Sequence, residues 1–472
     1  MRDFRSFVSF LEDTGELVRI SREVDPRFEM AAVMQKLDQA GKAFLFENVK
    51  GARFPAIGGL FNKLERFGQA LGYDFSKPFG HAEFDALLEA GKASPVPPKQ
   101  VDTSPVKDII LQGADIDLAD LPVPTFFELD SGPFITGAVG IIRDPESGVQ
   151  NIGIYRTLIT GRDTCVINAS SMSDLRRIYA NWEKLGEPMP IAIAIGVDPA
   201  MLTAASCKLA PNESEIELAG AFQGASLELV KCEDSDLLVP AHAEFIIEGT
   251  VDFSNRVDNL LGEFAGQYGA ENAPTTHVTT ISHRKEPMFY TIMAGRNPEH
   301  NTLGNVAVYG VQRSVTNALK QVLPGIVDVH VYLEPTLGTM AHVVIAIKKE
   351  SDEQPMQIVE QALAGGGGIF PVSEIVKRVI VVDDDIDVHN MTDVQWAIWN
   401  RAATEKKFKV IPDVKSWELE RAAKAGQKSA RIGIDATMDL EDVEKLVRPI
   451  TPGAEDIRLE DYIDVGSKKS AA

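Results

Sequence analysis

Cysteine is scarce in this chain, with three residues among 472, Cys165, Cys207 and Cys232. They lie far apart and form no C-x-x-C pair, which excludes a disulfide framework and a thiolate zinc site and fits a reducing, cytoplasmic setting. Positive charge is also short: 47 Lys and Arg against 69 Asp and Glu, a formal net charge of −22. Without basic runs, neither nucleic acid nor an anionic membrane surface is expected as a partner. No apolar run reaches the ~18 residues of a membrane span, and Met1-Arg-Asp-Phe-Arg-Ser-Phe7 reads as an amphipathic start rather than a signal peptide. Several catalytic signatures are missing too. No H-E-x-x-H pair and no G-x-S-x-G elbow occurs, and Gly365-Gly-Gly-Gly368 is not followed by Gly-Lys-Ser/Thr, so it reads as a turn rather than a phosphate loop.

What is present is an ordinary apolar fraction of 44% in a chain long enough for two or three domains. Asp3 is placed to cap a first helix with Phe4, Phe7, Val8 and Leu11 at helical spacing. Alternating short strands and helices then predict a small α/β domain over residues 1–105, whose end carries a stiff Pro95-Val-Pro-Pro98 connector. Over 106–304 short strands crowd together between turn residues, which predicts a β-barrel or sandwich with helical insertions. Val308, Val311, Val315, Leu319 and Val322 mark a linking helix over 305–325. A second α/β unit over 326–440 follows, and a charged tail, 441–472, closes the chain.

The stretch around which the rest is organised is Asn151-Ile-Gly-Ile-Tyr-Arg156 and its continuation to Thr160. Ile152, Ile154 and Leu158 alternate as in a strand, yet the strand also carries an amide and a permanent cation. Arginine is rarely buried without an anionic partner. Candidate partners lie in Asn255-Arg-Val-Asp-Asn-Leu-Leu-Gly-Glu-Phe-Ala-Gly266, read as a loop in which Asp258 and Glu263 stand five residues apart. Beside an arginine, one carboxylate stays ionised while another in a drier spot keeps its proton, an acid/base arrangement. Asp383-Asp-Asp-Ile-Asp387 lacks calcium-loop spacing and reads as a solvated or interface acidic cluster.

Asn151-x-Gly-Ile-Tyr-Arg156, Glu228-Leu-Val-Lys-Cys232, Glu244-x-x-x-Glu248-Gly249 and Gly262-Glu263-x-x-Gly266 occur in this order. With Asp120-Leu-Pro-Val-Pro124, Val381-Val-Asp-Asp-Asp-Ile-Asp387 and Gly433-Ile-Asp-Ala-Thr437, this succession resembles the UbiD-type decarboxylases from the first helix to about residue 440. The resemblance implies a multidomain α+β fold: an N-terminal α/β domain, a split β-barrel related to flavin reductases, a linking helix and a C-terminal α/β oligomerisation domain. It implies prenylated FMN as cofactor, with a divalent metal such as manganese and a potassium ion at its phosphate. It also implies reversible, non-oxidative decarboxylation of an aromatic, heteroaromatic or α,β-unsaturated carboxylic acid. A flavin prenyltransferase would supply the cofactor, and the protein would form a homodimer or higher homo-oligomer.

Carried over by position, Asn151 and Glu228 would be metal ligands and Ser206 a contact of the monovalent ion. Ile154, Tyr155 and Arg156 would line the cofactor, with Asn168, Ala169, Ser170, Ser173 and Asp174 along its phosphate side. Arg156, Asp258 and Glu263 match the family's catalytic Glu-Arg-Glu network, Glu263 being the proton donor. Three positions depart from the pattern. Asp258 stands where many members have Glu, Asn168 where Arg or Gln is frequent, and Met172 where the family carries a metal-ligand histidine. A thioether is a poor ligand for a hard cation. Two other readings stay open: a non-catalytic or assembly subunit that kept the fold, and an FMN-binding oxidoreductase on the same barrel.

Overall fold

The computed structural model describes residues 3–76, 79–171, 173–210, 213–306, 319, 325–332, 340–363, 374–446, 448–449, 451–453, 456–458 and 462. Met172, most of the linking-helix stripe and the Gly365–Gly368 run fall outside them.

The first helix is Phe4–Asp13, with the Asp3 carboxylate accepting from the Ser6 amide. Its Phe4, Phe7, Val8 and Leu11 face is buried, as the spacing predicts. It lies beside a four-stranded sheet in the order Leu17–Ile20, Ala43–Phe46, Ala56–Gly58, Phe289–Tyr290. The last strand comes from far along the chain, after the central sheet, and pairs in parallel with Ala56–Gly58. The N-terminal unit therefore shares its core with the central one: Phe4, Phe7, Phe61 and Phe67 belong to the same apolar cluster as Ile191, Ile193 and Phe245.

The central unit is one nine-stranded sheet curled into a half-barrel, the split-barrel form implied by the resemblance. How it curls is visible in two short links. Gln150–Ile154 pairs with Ala138–Arg143 at one end of the sheet, whereas Thr157–Ile159 pairs with Phe134–Ile135 and Thr164–Ile167 near the other. Only Tyr155 and Arg156 join them, and two residues span at most about 7 Å. The two ends of the sheet must therefore approach each other, with Arg156 at the seam. The stretch read as a single strand from Asn151 to Thr160 is thus two strands with a crossing between them. Phe134 to Ile142 divides in the same way, at Thr136 and Gly137.

The longest pair in the sheet is Phe245–Gly262 with Tyr268–His283. Residues 255–262, expected as loop, are strand. Val257, Asn259 and Leu261 point inward and Asp258 outward, and the polar Asn259 hides the alternation that apolar residues would display.

The C-terminal unit is a five-stranded sheet in the order Ile326–Tyr332, Ala341–Ile347, Val376–Asp383, Lys428–Ala436, Phe408–Lys415. Val379 and Val381 pack on one face with the helix Gln354–Leu363, and Ile380 and Val382 on the other with Met391–Arg401. The acidic cluster has a structural task here: Arg401 lies 2.7 Å from Asp383 and 2.7 Å from Asp385. Among the described residues no helix is long and apolar enough to cross a membrane.

Candidate active site

Arg156 opens into a cleft of about 270 Å³ bounded by the central sheet, the helical residues 298–306 and two C-terminal residues, Trp417 and Leu419. The Asn168 amide donates to the Arg156 carbonyl at 2.9 Å, which fixes the backbone at the seam. The Asn168 side chain is held in turn by reciprocal amide hydrogen bonds with Asn259, at 2.8 and 3.1 Å.

Arg156 Nη1 lies 2.6 Å from the Glu263 carboxylate, and Glu263 is only 3% exposed. Glu263 follows the strand Phe245–Gly262 directly, at the start of a tight turn closed by the Glu263 amide to the Gln267 carbonyl, with Gly266 at φ 76°. Gly269 across the hairpin makes room for it, since a Cβ there would stand 2.7 Å from the Glu263 side chain. Burial pushes the Glu263 carboxyl upward, against the pull of Arg156.

A second carboxylate, Glu271, stands 4.0 Å from Arg156 Nη2 and 3.3 Å from Arg176. It is 9% exposed, and burial raises its carboxyl as well. Asp258, in contrast, is exposed and accepts from Asn272 Nδ2 at 2.7 Å. Strand parity explains the difference. Asn259 pairs with Glu271 and both face inward, while Asp258 pairs with Asn272 on the outer face. The structure brings Arg156 and Glu263 together and does not bring Asp258 to them.

The cleft continues past Ile154, Tyr155, Ser170, Ser173 and Ser206 into a second lobe of about 310 Å³ lined by Asn151, Asp174, Lys208 and Glu215. Ser173 caps the helix Asp174–Leu185, accepting from the Arg176 amide and donating to the Ser170 carbonyl. This puts a helix N-terminus and two serines at the cleft, a setting for an anionic group. Ala169 lies buried behind it, and Ser206 donates to the Leu202 carbonyl at 2.9 Å. The Lys208 ammonium sits 2.6 Å from Asp174. Tyr155 folds back over Gly140 and Gly153, where any Cβ would collide with its ring, and donates to Asn151 Oδ1 at 3.1 Å.

Glu215 begins the helix Glu215–Gln223 and is buried beside Asn151 and Asp174. Burial, helped by Asp174, pushes its carboxyl up to about 7. Glu228 is elsewhere. It lies in the strand Glu228–Lys231, 40% exposed, with His242 at 2.9 Å and Lys99 at 3.5 Å, and lines neither lobe. Among the described residues no group of three or more His, Cys, Asp or Glu is arranged to hold a metal by itself. The oxygen donors of Asn151 and of the cation-poor, buried Glu215 nevertheless suit a hard cation that takes its other ligands from a phosphate. The cleft as a whole, with its helix N-terminus at one end, apolar middle and Arg156 at the other, suits a phosphorylated flavin.

Four residues of the site escape a reading of the sequence alone. Glu271 and Glu215 are found by applying strand parity to the hairpin and by noticing a Glu at the start of a helix behind the Ser214 cap. His300 and Trp417 reach the cleft from distant segments and carry no local signal.

Three successive family models match: the 3-octaprenyl-4-hydroxybenzoate carboxy-lyase N-terminal domain over 8–79, its Rift-related domain over 99–297 and its C-terminal domain over 308–436. An uncharacterized protein of Archaeoglobus fulgidus is 33% identical over 462 residues, 93% of this chain and 92% of its own. Among solved structures, the UbiD-class enzyme HmfF from Pelotomaculum thermopropionicum in complex with FMN is 34% identical and covers 98% of this chain and 100% of its own, with a TM-score of 0.82. An evolved dimeric form of HmfF has been solved with prFMN, at 33% identity, the same two coverages and a TM-score of 0.77. The vanillic acid decarboxylase of Sedimentibacter hydroxybenzoicus in its closed form is 28% identical over 98% of both chains, with a TM-score of 0.81. With family models along most of its length and a full-length relative at this identity, the chain belongs to the UbiD family of carboxy-lyases.

Proposed function

We propose that this protein catalyses the reversible, non-oxidative decarboxylation of an aromatic, heteroaromatic or α,β-unsaturated carboxylic acid, with prenylated FMN held in the cleft. The observation that carries the reading is the buried Arg156–Glu263 pair at the sheet seam, with Glu271 on its other side. Prenylated FMN, when bound, supplies the electron sink for the carbon from which CO2 departs. The protein's own groups supply orientation and protons. Arg156 orients the substrate carboxylate. Glu263, whose raised proton affinity follows from burial, delivers a proton to the carbon that has lost CO2. Asn151 and Glu215 would hold a divalent cation at the phosphate, with Ser206 near a potassium ion. Ser170, Ser173 and the helix Asp174–Leu185 would receive the phosphate itself. The FMN and prFMN complexes of HmfF support the choice of cofactor. A flavin prenyltransferase would be the supplier, and a homodimer or larger homo-oligomer in the cytoplasm the working form.

The test is anaerobic purification after co-expression with a flavin prenyltransferase, followed by cofactor mass, metal analysis and CO2 release from a panel of acids. The expected results are the mass of prenylated FMN and a Glu263→Gln variant that keeps the cofactor but loses about 10²–10⁴-fold in turnover. Plain FMN, no flavin, or a fully active variant would sink the reading.

A further inference from the structure

A cavity of about 520 Å³, larger than either lobe of the catalytic cleft, shares no lining residue with them and has no part in the chemistry described above. Its floor is apolar: Leu118, Leu121 and Val123 are buried there, with Ile159 half-buried beside them. Three exposed cations, Arg27, Lys50 and Arg162, stand at its edge with a single carboxylate, Asp117. In a chain with 47 basic and 69 acidic residues, this edge runs against the overall charge.

The cations are held in place. Arg162 donates from Nη2 to the Ala114 carbonyl, lies 3.5 Å from Asp117, and accepts at its own carbonyl from the Leu118 amide at 2.8 Å. Lys50 is 3.0 Å from Asp25. The Arg27 guanidinium has no ion pair among the described residues; only the Arg27 backbone amide bonds Asp25, at 2.9 Å. Two hydrogen bonds strap the chain around Arg27, from the Thr125 amide to the Pro26 carbonyl and from the Phe28 amide to the Thr125 carbonyl, both 3.1 Å. The next residue is strained. Phe28 has φ 72° and ψ −45°, in a tight turn closed by the Glu29 amide to the Arg27 carbonyl at 2.9 Å. A bulky side chain rarely takes such angles, and at 37% exposure the ring gains little burial to offset them. Strain of this kind persists where the geometry it enforces is needed; here it sets Arg27 at the cavity.

The lining selects the ligand. An apolar floor takes a planar or apolar body, and the edge takes its charge. Exposed ion pairs contribute little, so Lys50 and Arg162 can turn to a ligand oxygen at small cost. A phosphate monoester carries about −1.5 to −2 charges and three acceptor oxygens, which three cations can share and guanidinium forks match. A lone carboxylate would leave cations unused. The cavity also reaches the chain on both sides of the Arg156–Glu263 pair. Ile159 ends the strand that begins one residue after Arg156, and its amide donates to the Pro133 carbonyl at 3.0 Å. Val123 and Thr125 lead into the turn where Asp130 accepts from the Phe127 amide at 2.9 Å and from the Gly262 amide at 3.0 Å. Gly262 directly precedes Glu263.

We propose that this cavity is an effector site for a phosphate monoester with a planar, apolar body, and that its occupancy stiffens the segments carrying Arg156 and Glu263. The inference stands on the cavity and its connections and does not depend on which reaction the cleft performs.

The test uses the full chain co-expressed with a flavin prenyltransferase. Phenyl phosphate, adenosine monophosphate, inorganic phosphate and phenol are titrated by calorimetry, which reads binding independently of turnover. The expected result is one molecule of phenyl phosphate or adenosine monophosphate per chain, bound at least about tenfold tighter than inorganic phosphate or phenol. Arg27→Gln removes the unpaired cation and Ala119→Glu places a carboxylate at the exposed edge; each should weaken the ester by about tenfold or more. Amide exchange at Gly262 and Thr157–Ile159 should slow by at least about threefold when the ester binds the unsubstituted chain, and not in the variants. Binding of neither ester overturns the inference. So does ester affinity unchanged in both variants, which would place the ester in the catalytic cleft, and so does binding with unchanged exchange, which would remove the effector role. Self-association abolished by Ala119→Glu, with no ester bound, would give this face to a second copy of the chain and overturn it as well.

Discussion

Arg156 has two buried carboxylates within reach, and the proposed mechanism gives them different work. Glu263 touches it at 2.6 Å and is the drier of the two. Glu271 stands farther off and shares its charge between Arg156 and Arg176. A cation flanked in this way keeps its orientation while one neighbour exchanges a proton, because the other neighbour still opposes its charge. Glu271→Gln should therefore weaken the positioning of Arg156 and lower turnover by roughly ten- to a hundredfold, with the cofactor retained. Asp258→Asn should stay within about twofold, since that carboxylate is exposed and bonded to Asn272. Turnover of both variants, measured beside their flavin content, checks the assignment. The opposite ranking would return the second carboxylate to Asp258. At this scale the sequence made Arg156 and Glu263 legible because each carries a local mark: a cation inside an apolar alternation, and a carboxylate between glycines. Glu271 has no such mark, and its place becomes visible only when the hairpin register is known.

The element that sets the site is the hairpin Phe245–Gly262 with Tyr268–His283. Its register places Asn259 opposite Glu271 and Leu261 opposite Gly269, so one inner face carries both the amide that holds Asn168 and the space that receives Glu263. Gly269→Ala adds a methyl where only 2.7 Å separates it from the Glu263 side chain, without requiring an unusual backbone angle. The carboxylate must rotate away, and the short contact with Arg156 opens. Turnover should fall by about tenfold or more while the melting temperature changes by only a few degrees. A variant with unchanged turnover would mean that the Glu263 geometry tolerates displacement. Elements whose ends are written in the sequence were read correctly, among them the capped helix Phe4–Asp13 and the helix Asp174–Leu185 behind Ser173. Residues 255–262 read as a loop because the polar Asn259 interrupts the apolar alternation of their inner face, and an inner face carries polar groups where a site is being built.

At the scale of the whole molecule, the cleft belongs to two units that each have their own core. The N-terminal and central units share two apolar clusters, whereas the C-terminal sheet packs in two others. The units meet at the cleft through Val331, Ile375 and a short segment around Glu418. Glu418 lies between Trp417 and Leu419, which line the cavity, and accepts from the Ser171 amide at 2.9 Å and the Ser171 hydroxyl at 2.5 Å. Ser171 sits in the turn between Ser170 and the Ser173 cap, so this contact joins the C-terminal unit to the turn proposed to receive the phosphate. The Glu418 charge also raises the proton affinity of both Glu263 and Glu271. One carboxylate thus links the closeness of the two units to the proton affinity of the proposed acid, Glu263. Glu418→Gln keeps the shape and one acceptor but removes the charge. Amide exchange at residues 170–173 should quicken, reporting a looser contact. The sign of the effect on Glu263 follows directly: without the neighbouring negative charge its proton affinity falls, so it deprotonates at lower pH. The alkaline limb of the turnover profile, above which Glu263 has lost its proton, should therefore move to lower pH. Faster exchange with an unmoved limb would make Glu418 a latch alone. An unmoved limb with unchanged exchange would leave the Ser171 contact without a part in closing the site.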